Sequence, residues 1–241
     1  MQSLMAAKKT LSICTRTYGY LRRSRQGGAD LAQLKQLWAE EMLERVGLQV
    51  QITGLVSEKP GLLFVGNHLS YLDIPLLMAA APRISFVAKK EIGDWPLFGD
   101  GARAMDTIFV HRESSQHRKA ARGAVAEGLL QGKRIAVFPS GTTSLDEAKP
   151  WRRGVFEIAK QEACWIQPFR IRYEPSRLVA FIGQDALLPH LSALMKTQGL
   201  KAHIEFHAPV LVQDAEQSAV AWQSWAQAGL REGRQMPSEL P

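Results

Sequence analysis

In the stretch GNHLSYLDIP, residues 66–75, His68 and Asp73 are the side chains best suited to acid–base chemistry. A neutral imidazole can take a proton near physiological pH. A carboxylate on its other nitrogen fixes the tautomer and stabilises the imidazolium. The two residues cannot share one face of a regular helix, because five residues at about 100° each leave them roughly 140° apart. Contact between them requires a turn. The preceding GLLFV reads as a buried strand, Asn67, Ser70 and Tyr71 suit a loop, Asp73 can serve as an N-cap, and Pro75 is tolerated in a first helical turn. Loops that leave the carboxyl end of a strand are a common place for catalytic groups. At this level the pair is either a base with its orienting carboxylate or a capped helix beside a buried histidine.

Two more apolar strands end in unusual polar residues, TIFVHR at 107–112 and FPSGTTS at 138–144. In a parallel sheet such ends lie along one edge and can converge. A base of this kind is most useful where nearby donors can hold a developing oxyanion, and backbone N–H groups around Gly141 are candidates for that task. Arg112 has the fork that suits phosphate or carboxylate, or its stem simply covers apolar surface. Ser140 is not a hydrolase nucleophile, since the G-x-S-x-G elbow needs glycine where Phe138 and Thr142 stand. GTTS also lacks the lysine of a Walker loop. HIEFH puts His203, Glu205 and His207 on one strand face, a spacing compatible with a metal, but a solvated face is the expected reading and no metal is expected.

The elements that must position these loops follow from periodicity. DLAQLKQLWAEEMLERVG predicts a helix capped by Asp30 and ended by Gly47, and LQVQITG a half-buried strand. GLLFVGNH, RISFVAKKE, DTIFVHR, RIAVFPSG, CWIQPFRIRY, LVAFIG and KAHIEF read as strands. Helices are expected over Ile74–Ala81, 114–131, VFEIAKQE, Leu187–Thr197 and from Asp214 onward, where Gln217 completes a capping-box pattern. Strands alternating with helices predict an α/β fold: a mostly parallel central sheet flanked by helices, after an N-terminal helical segment. The only visible boundary lies near residue 48, giving a helical piece over 1–47 and one domain over 48–241.

The 241 residues are 46% hydrophobic, enough for a sizeable core. Cys14 and Cys164 form neither a disulfide framework nor a CxxC motif, which suits a reducing compartment. No run is long enough for a membrane span, and no signal-peptide core is present. The net charge of +7 is uneven: residues 1–29 hold no acid but include Lys8, Lys9, Arg16, Arg22, Arg23 and Arg25. Leu4, Leu11, Cys14, Tyr18 and Leu21 recur there at near-helical spacing, so the segment is either an amphipathic helix for an anionic membrane surface or a solvated leader. No nucleic-acid motif accompanies the charge, and no nucleic-acid partner is expected.

Taken in order, the loops resemble the glycerolipid acyltransferase superfamily, in particular its 1-acylglycerol-3-phosphate acyltransferases. NHLSYLD matches the NHxSxxD block with its HxxxxD pair, Arg112 the arginine that ends the second block, and FPSGTTS most of FPEGTRS. AKKEIGDWPLFG keeps Lys89, Pro96 and Gly99, and IQPF supplies the proline of a fourth block as Pro168. The resemblance spans about residues 30 to 212. It implies a peripheral enzyme of phospholipid biosynthesis on the cytoplasmic face of the inner or plasma membrane, with residues 1–47 associating with the membrane and 48–241 forming the acyltransferase domain. It implies no cofactor, an acyl-carrier protein or coenzyme A thioester as co-substrate, and a lysolipid acceptor. His68 would be the base and Asp73 its orienter. Lys89 and Arg112 would bind the acceptor's anionic group, and Ser140, Gly141, Thr142 and Thr143 would shape the acceptor site. Three positions depart from the pattern: Ser140 replaces a glutamate, Thr143 an arginine that helps bind phosphate, and His111 an aspartate. Losing that arginine removes about 1.5–3 kcal/mol of charged hydrogen bonding. Thr143 resembles the GTTS form of the lyso-ornithine-lipid acyltransferase branch. The expected acceptor is 1-acylglycerol-3-phosphate, with lyso-ornithine lipid or a catalytically silent membrane-binding homologue as alternatives.

Overall fold

The structure is a computed structural model that describes residues 2–28, 30–94, 98–111 and 114–235. Two helices lead, α1 (Gln2–Gln26) and α2 (Leu31–Val46). Asp30 caps α2 by accepting the Ala32 N–H, and Gly47 ends it at φ 79°, a left-handed turn open to glycine at no steric cost. The strands are β1 (Leu48–Thr53), β2 (Leu63–Gly66), β3 (Ile84–Lys89), β4 (Ile108–Val110), β5 (Arg134–Val137), β6 (Trp165–Glu174), β7 (Leu200–Phe206) and β8 (Val210–Leu211). Between and after them lie α3 (Asp73–Ala80), α4 (Phe98–Ala104), α5 (Ser115–Leu130), α6 (Gly154–Gln161), α7 (Ser176–Val179), α8 (Leu187–Lys196) and α9 (Ala215–Gln235).

The sheet order is β1-β7-β6-β2-β5-β3-β4, with β8 also paired to β6. All pairings are parallel except β6 with β7 and β6 with β8, so the expected mostly parallel α/β sheet is the observed one. Alternation along the strands divides the core in two. Phe64, Ala136, Phe169, Ile171 and Tyr173 face a layer containing α2, α3 and α8, while Leu63, Val65, Ile135 and Ile166 face α5, α6 and α9. Each buried Leu, Ile, Val or Phe among them contributes about 1.5–3 kcal/mol.

Two expectations are corrected. LVAFIG is not a strand: Ser176–Val179 forms one helical turn, and Phe181 donates its N–H to Leu69 O. A short apolar run can be buried as a turn as readily as in a sheet, and periodicity cannot separate the two. LQVQITG does form β1, but only Leu48 is buried, with Val50 and Ile52 exposed. The strand is an edge, paired to β7 alone.

On α1, Trp38 Nε1 donates to Thr17 Oγ1 at 3.1 Å and Arg16 pairs with Glu41 at 2.7 Å, which fixes one side of the helix to α2. Leu21 is buried. Leu11 and Tyr18 are 65% and 62% exposed, and Cys14 is exposed with them. The side chain of Leu4 lies outside those described. Among the described residues no helix is long and apolar enough to cross a membrane.

Candidate active site

The carboxyl ends of β2, β5, β3 and β4 lie side by side along one edge of the sheet. The strand β2 stops at Gly66, where an added Cβ would lie 2.4 Å from Phe169, so only glycine lets the chain pass that close. Asn67 then takes over the ladder with its side chain. Its Nδ2 donates to Ile171 O and its Oδ1 accepts the Ile171 N–H, both at 2.8 Å, and the residue is fully buried. Burial of Leu69 and Leu72 pins the loop that follows.

The turn demanded by the spacing is present, and His68 Nδ1 meets Asp73 Oδ2 at 2.6 Å. Asp73 is not the N-cap of α3. Leu72 holds that position without a side-chain cap, because the carboxylate points back into its own loop. Asp73 Oδ2 also accepts the N–H groups of Leu69 (2.7 Å) and Ser70 (3.1 Å), while Oδ1 accepts the Tyr173 hydroxyl at 2.6 Å. Four donors around a fully buried carboxylate stabilise it as the anion. The ionised carboxylate can only accept, so Nδ1 carries the imidazole proton and Nε2 holds the lone pair. Nε2 has no hydrogen-bond partner among the described residues, and the side chain is 20% exposed. That is the geometry of a base ready to receive a proton from a small molecule.

Three further contacts fix the residue, one at the ring and two at its backbone. Phe138 stacks on it with centroids 4.0 Å apart and planes 14° from parallel. His68 O accepts the Ser144 N–H at 2.7 Å, and its own N–H donates to Glu147 Oε1 at 2.9 Å. Burial pushes the Glu147 carboxyl up, against the pull of the His68 and Trp151 N–H groups. Burial, with the Asp73 charge beside it, holds the Tyr173 phenol well above its ordinary range, so it remains a donor.

The loop after β5 sits against this pair. Gly141 has φ 68°, and its N–H closes a turn onto Phe138 O at 3.0 Å. Gly141 therefore shapes the loop, and its N–H is already spent. Among the described residues the N–H groups of Thr142 and Thr143 have no acceptor. Ser140 Oγ donates to Thr142 O. The Arg152 guanidinium rests on this loop, 3.0 Å from where a Gly141 Cβ would stand.

The structure thus brings together His68, Asp73 and the 138–144 loop. Lys89 ends β3, two strands from β2 and about 10 Å away on strand spacing alone, with its side chain exposed. Arg112 and Pro96 lie outside the described residues. His111, at the end of β4, stacks on His117 at 4.9 Å. Glu205 is engaged by Arg170 at 2.7 Å and His203 lies 3.4 Å from Glu174. Sequence reasoning missed Tyr173, Glu147, Asn67, Phe138 as a stacking partner, and Arg152. Only Asn67 and Phe138 carried a signal, by falling inside the matched blocks.

Comparison with known proteins identifies the family. The family model described as Acyltransferase matches residues 47–172. Lyso-ornithine lipid O-acyltransferase from Pseudomonas aeruginosa is 32% identical over 211 residues, covering 84% of this chain and 81% of that one. A 1-acyl-sn-glycerol-3-phosphate acyltransferase from Neisseria gonorrhoeae is 32% identical over 114 residues, covering 47% of this chain and 44% of that one. The crystal structure of the 1-acyl-sn-glycerophosphate acyltransferase PlsC from Thermotoga maritima shares the fold, with a TM-score of 0.71 at 19% identity over 99% of this chain and 97% of that one. With most of its length aligned to such relatives, and its histidine and aspartate joined at a sheet edge, this chain belongs to the acyltransferase family.

Proposed function

We propose that this protein transfers a fatty acyl group from a thioester to the free hydroxyl of a lysolipid at a membrane surface. The carrying observation is the unengaged Nε2 of His68 opposite an Nδ1 bonded to Asp73 at 2.6 Å. The acceptor hydroxyl gives its proton to Nε2 as its oxygen attacks the thioester carbonyl. The tetrahedral oxyanion is held by N–H groups of the 138–144 loop, with those of Thr142 and Thr143 available. Collapse breaks the C–S bond, and the departing thiolate takes the proton from Nε2 to leave as a thiol. Asp73 stabilises the imidazolium between the two transfers. No enzyme nucleophile is needed. The donor is an acyl-carrier protein or coenzyme A thioester.

The acceptor is one with an amino-acid headgroup, of the lyso-ornithine lipid kind. Two observations support this over 1-acylglycerol-3-phosphate: the threonine at position 143 in place of a phosphate-binding arginine, and the much longer match to lyso-ornithine lipid O-acyltransferase. A carboxylate needs fewer cations than a phosphomonoester, and Arg152 on the Gly141 loop, with Lys89 and Arg112, would supply them. The exposed stripe of Leu11, Cys14 and Tyr18 on a basic helix supports peripheral attachment to an anionic lipid surface. The test is a purified-enzyme assay with both lysolipids and both thioesters. Faster turnover of lyso-ornithine lipid is expected. Preference for lysophosphatidate would overturn the headgroup assignment, and no transfer with any pair would overturn the activity.

A further inference from the structure

We infer that Glu147 is a positioning residue for acyl transfer, holding the His68 backbone with a buried negative charge. The inference rests on the reading of His68 as the base. Glu147 is 1% exposed, and each carboxylate oxygen meets one donor: Oε1 accepts the His68 N–H at 2.9 Å, and Oε2 accepts Trp151 Nε1–H at 2.6 Å. Neither partner can accept a hydrogen bond, so a proton on either oxygen would find no acceptor in these contacts, and both are charge-assisted only when the carboxylate is ionised. The geometry therefore calls for the ionised form. His68 is then flanked by two buried anions, Asp73 at the ring and Glu147 at the backbone.

This arrangement works against folding. A buried carboxylate with only two donors is costly, and burial pushes its proton affinity up. Between the ordinary glutamate range and that raised value, the folded state holds a proton the unfolded state has released. Stability from this group therefore falls as pH rises through that window. Glu147 also sits at φ 53°, a left-handed backbone that side chains rarely adopt. The surroundings force it there: Ser144 Oγ accepts its N–H at 3.0 Å, and Gln223 and Gln227 donate to its carbonyl at 2.6 and 3.0 Å. Strain and a buried charge held in one place by four neighbouring side chains are what a functional constraint produces. The benefit falls on His68, whose ring becomes an imidazolium during each turnover, and nearby negative charge in a low-dielectric site stabilises that state. The 138–147 loop, which has serine at 140, thus carries a buried carboxylate at 147 against the histidine backbone.

The test compares Glu147→Gln with its parent in a Trp151→Phe background, where the amide no longer meets an opposing indole N–H. Both variants are assayed for kcat, acceptor KM and thermal unfolding, with His68→Ala alongside. The expected result is kcat at least about tenfold lower on neutralising Glu147, acceptor KM within about twofold, and little change in Tm. A structural residue would instead lower Tm and leave kcat of the folded fraction intact, and that result overturns the inference. Raised KM at unchanged kcat also overturns it, by pointing to substrate contact. If the double variant does not fold, Glu147→Asp, which keeps the charge but withdraws it by one methylene, is read by the same split. Inactive His68→Ala beside fully active Glu147 variants refutes this inference alone. Activity retained by His68→Ala refutes the reading beneath it as well.

Discussion

Tyr173→Phe removes one oxygen and nothing else. The ring of Tyr173 is 2% exposed in the layer with Phe169 and Ile171, and phenylalanine keeps that packing. What goes is the hydroxyl that donates to Asp73 Oδ1 at 2.6 Å. Oδ2 retains three donors, but Oδ1 has no other among the described residues, so the substitution leaves a fully buried anionic oxygen bare. A hydrogen bond to a charged group contributes about 1.5–3 kcal/mol. In a chain of this length each kcal/mol moves Tm by about 2–4 °C, so a fall of about 3–12 °C is expected. The carboxylate also loses the contact that sets its plane. If about 1.4 kcal/mol of that loss appears in the transition state, kcat drops about tenfold. Calorimetric melts and an acyl-transfer assay at saturating acceptor read the two effects separately. A Tm within about 1 °C of wild type together with unchanged kcat would refute the reasoning, since Tyr173 would then contribute to neither the fold nor the histidine–aspartate pair.

Replacing both Leu11 and Tyr18 with glutamate, at exposed positions of a basic helix, should leave the melt unchanged and weaken sedimentation with anionic liposomes. Raised salt should weaken binding of the intact protein too, and equal binding to neutral and anionic vesicles at all salt concentrations would contradict the attachment. Thr143→Arg should lower KM for lysophosphatidate about tenfold if it gains roughly 1.4 kcal/mol of binding, and should impair use of lyso-ornithine lipid by repelling the headgroup amine. No change on either substrate would mean that residue 143 lies outside the headgroup pocket.

The turn joining His68 to Asp73 was legible because the helical period forbids a five-residue pair from sharing a face, leaving a loop as the only way to bring them together. Strand–helix alternation likewise carried the parallel sheet. Tyr173 was not legible. Period-two alternation puts it on the same face as Phe169 and Ile171, but nothing local says that Asp73, 100 residues earlier, lies against that face. Glu147 was not legible either, because the groups that hold it come largely from distant parts of the chain, the His68 N–H and two glutamines of α9. At Asp73 both roles stayed open in the sequence, because caps and catalytic carboxylates use the same residue type at the same place. Only the donors around it separate the two roles, and those sit in the loop behind it and in a distant strand.

The central claim is that His68 Nε2 removes the proton from the acceptor hydroxyl. Its most direct test is the rate of acyl transfer by His68→Ala, measured with the acceptor and thioester preferred by the wild type and with folding checked by circular dichroism. The ring is partly exposed and packs on Phe138, so the variant should fold. The account predicts that it loses nearly all transfer at unchanged secondary structure, because among the described residues of the site no other imidazole joins a bonded carboxylate to an unengaged ring nitrogen. A folded His68→Ala protein that keeps most of its activity would contradict it.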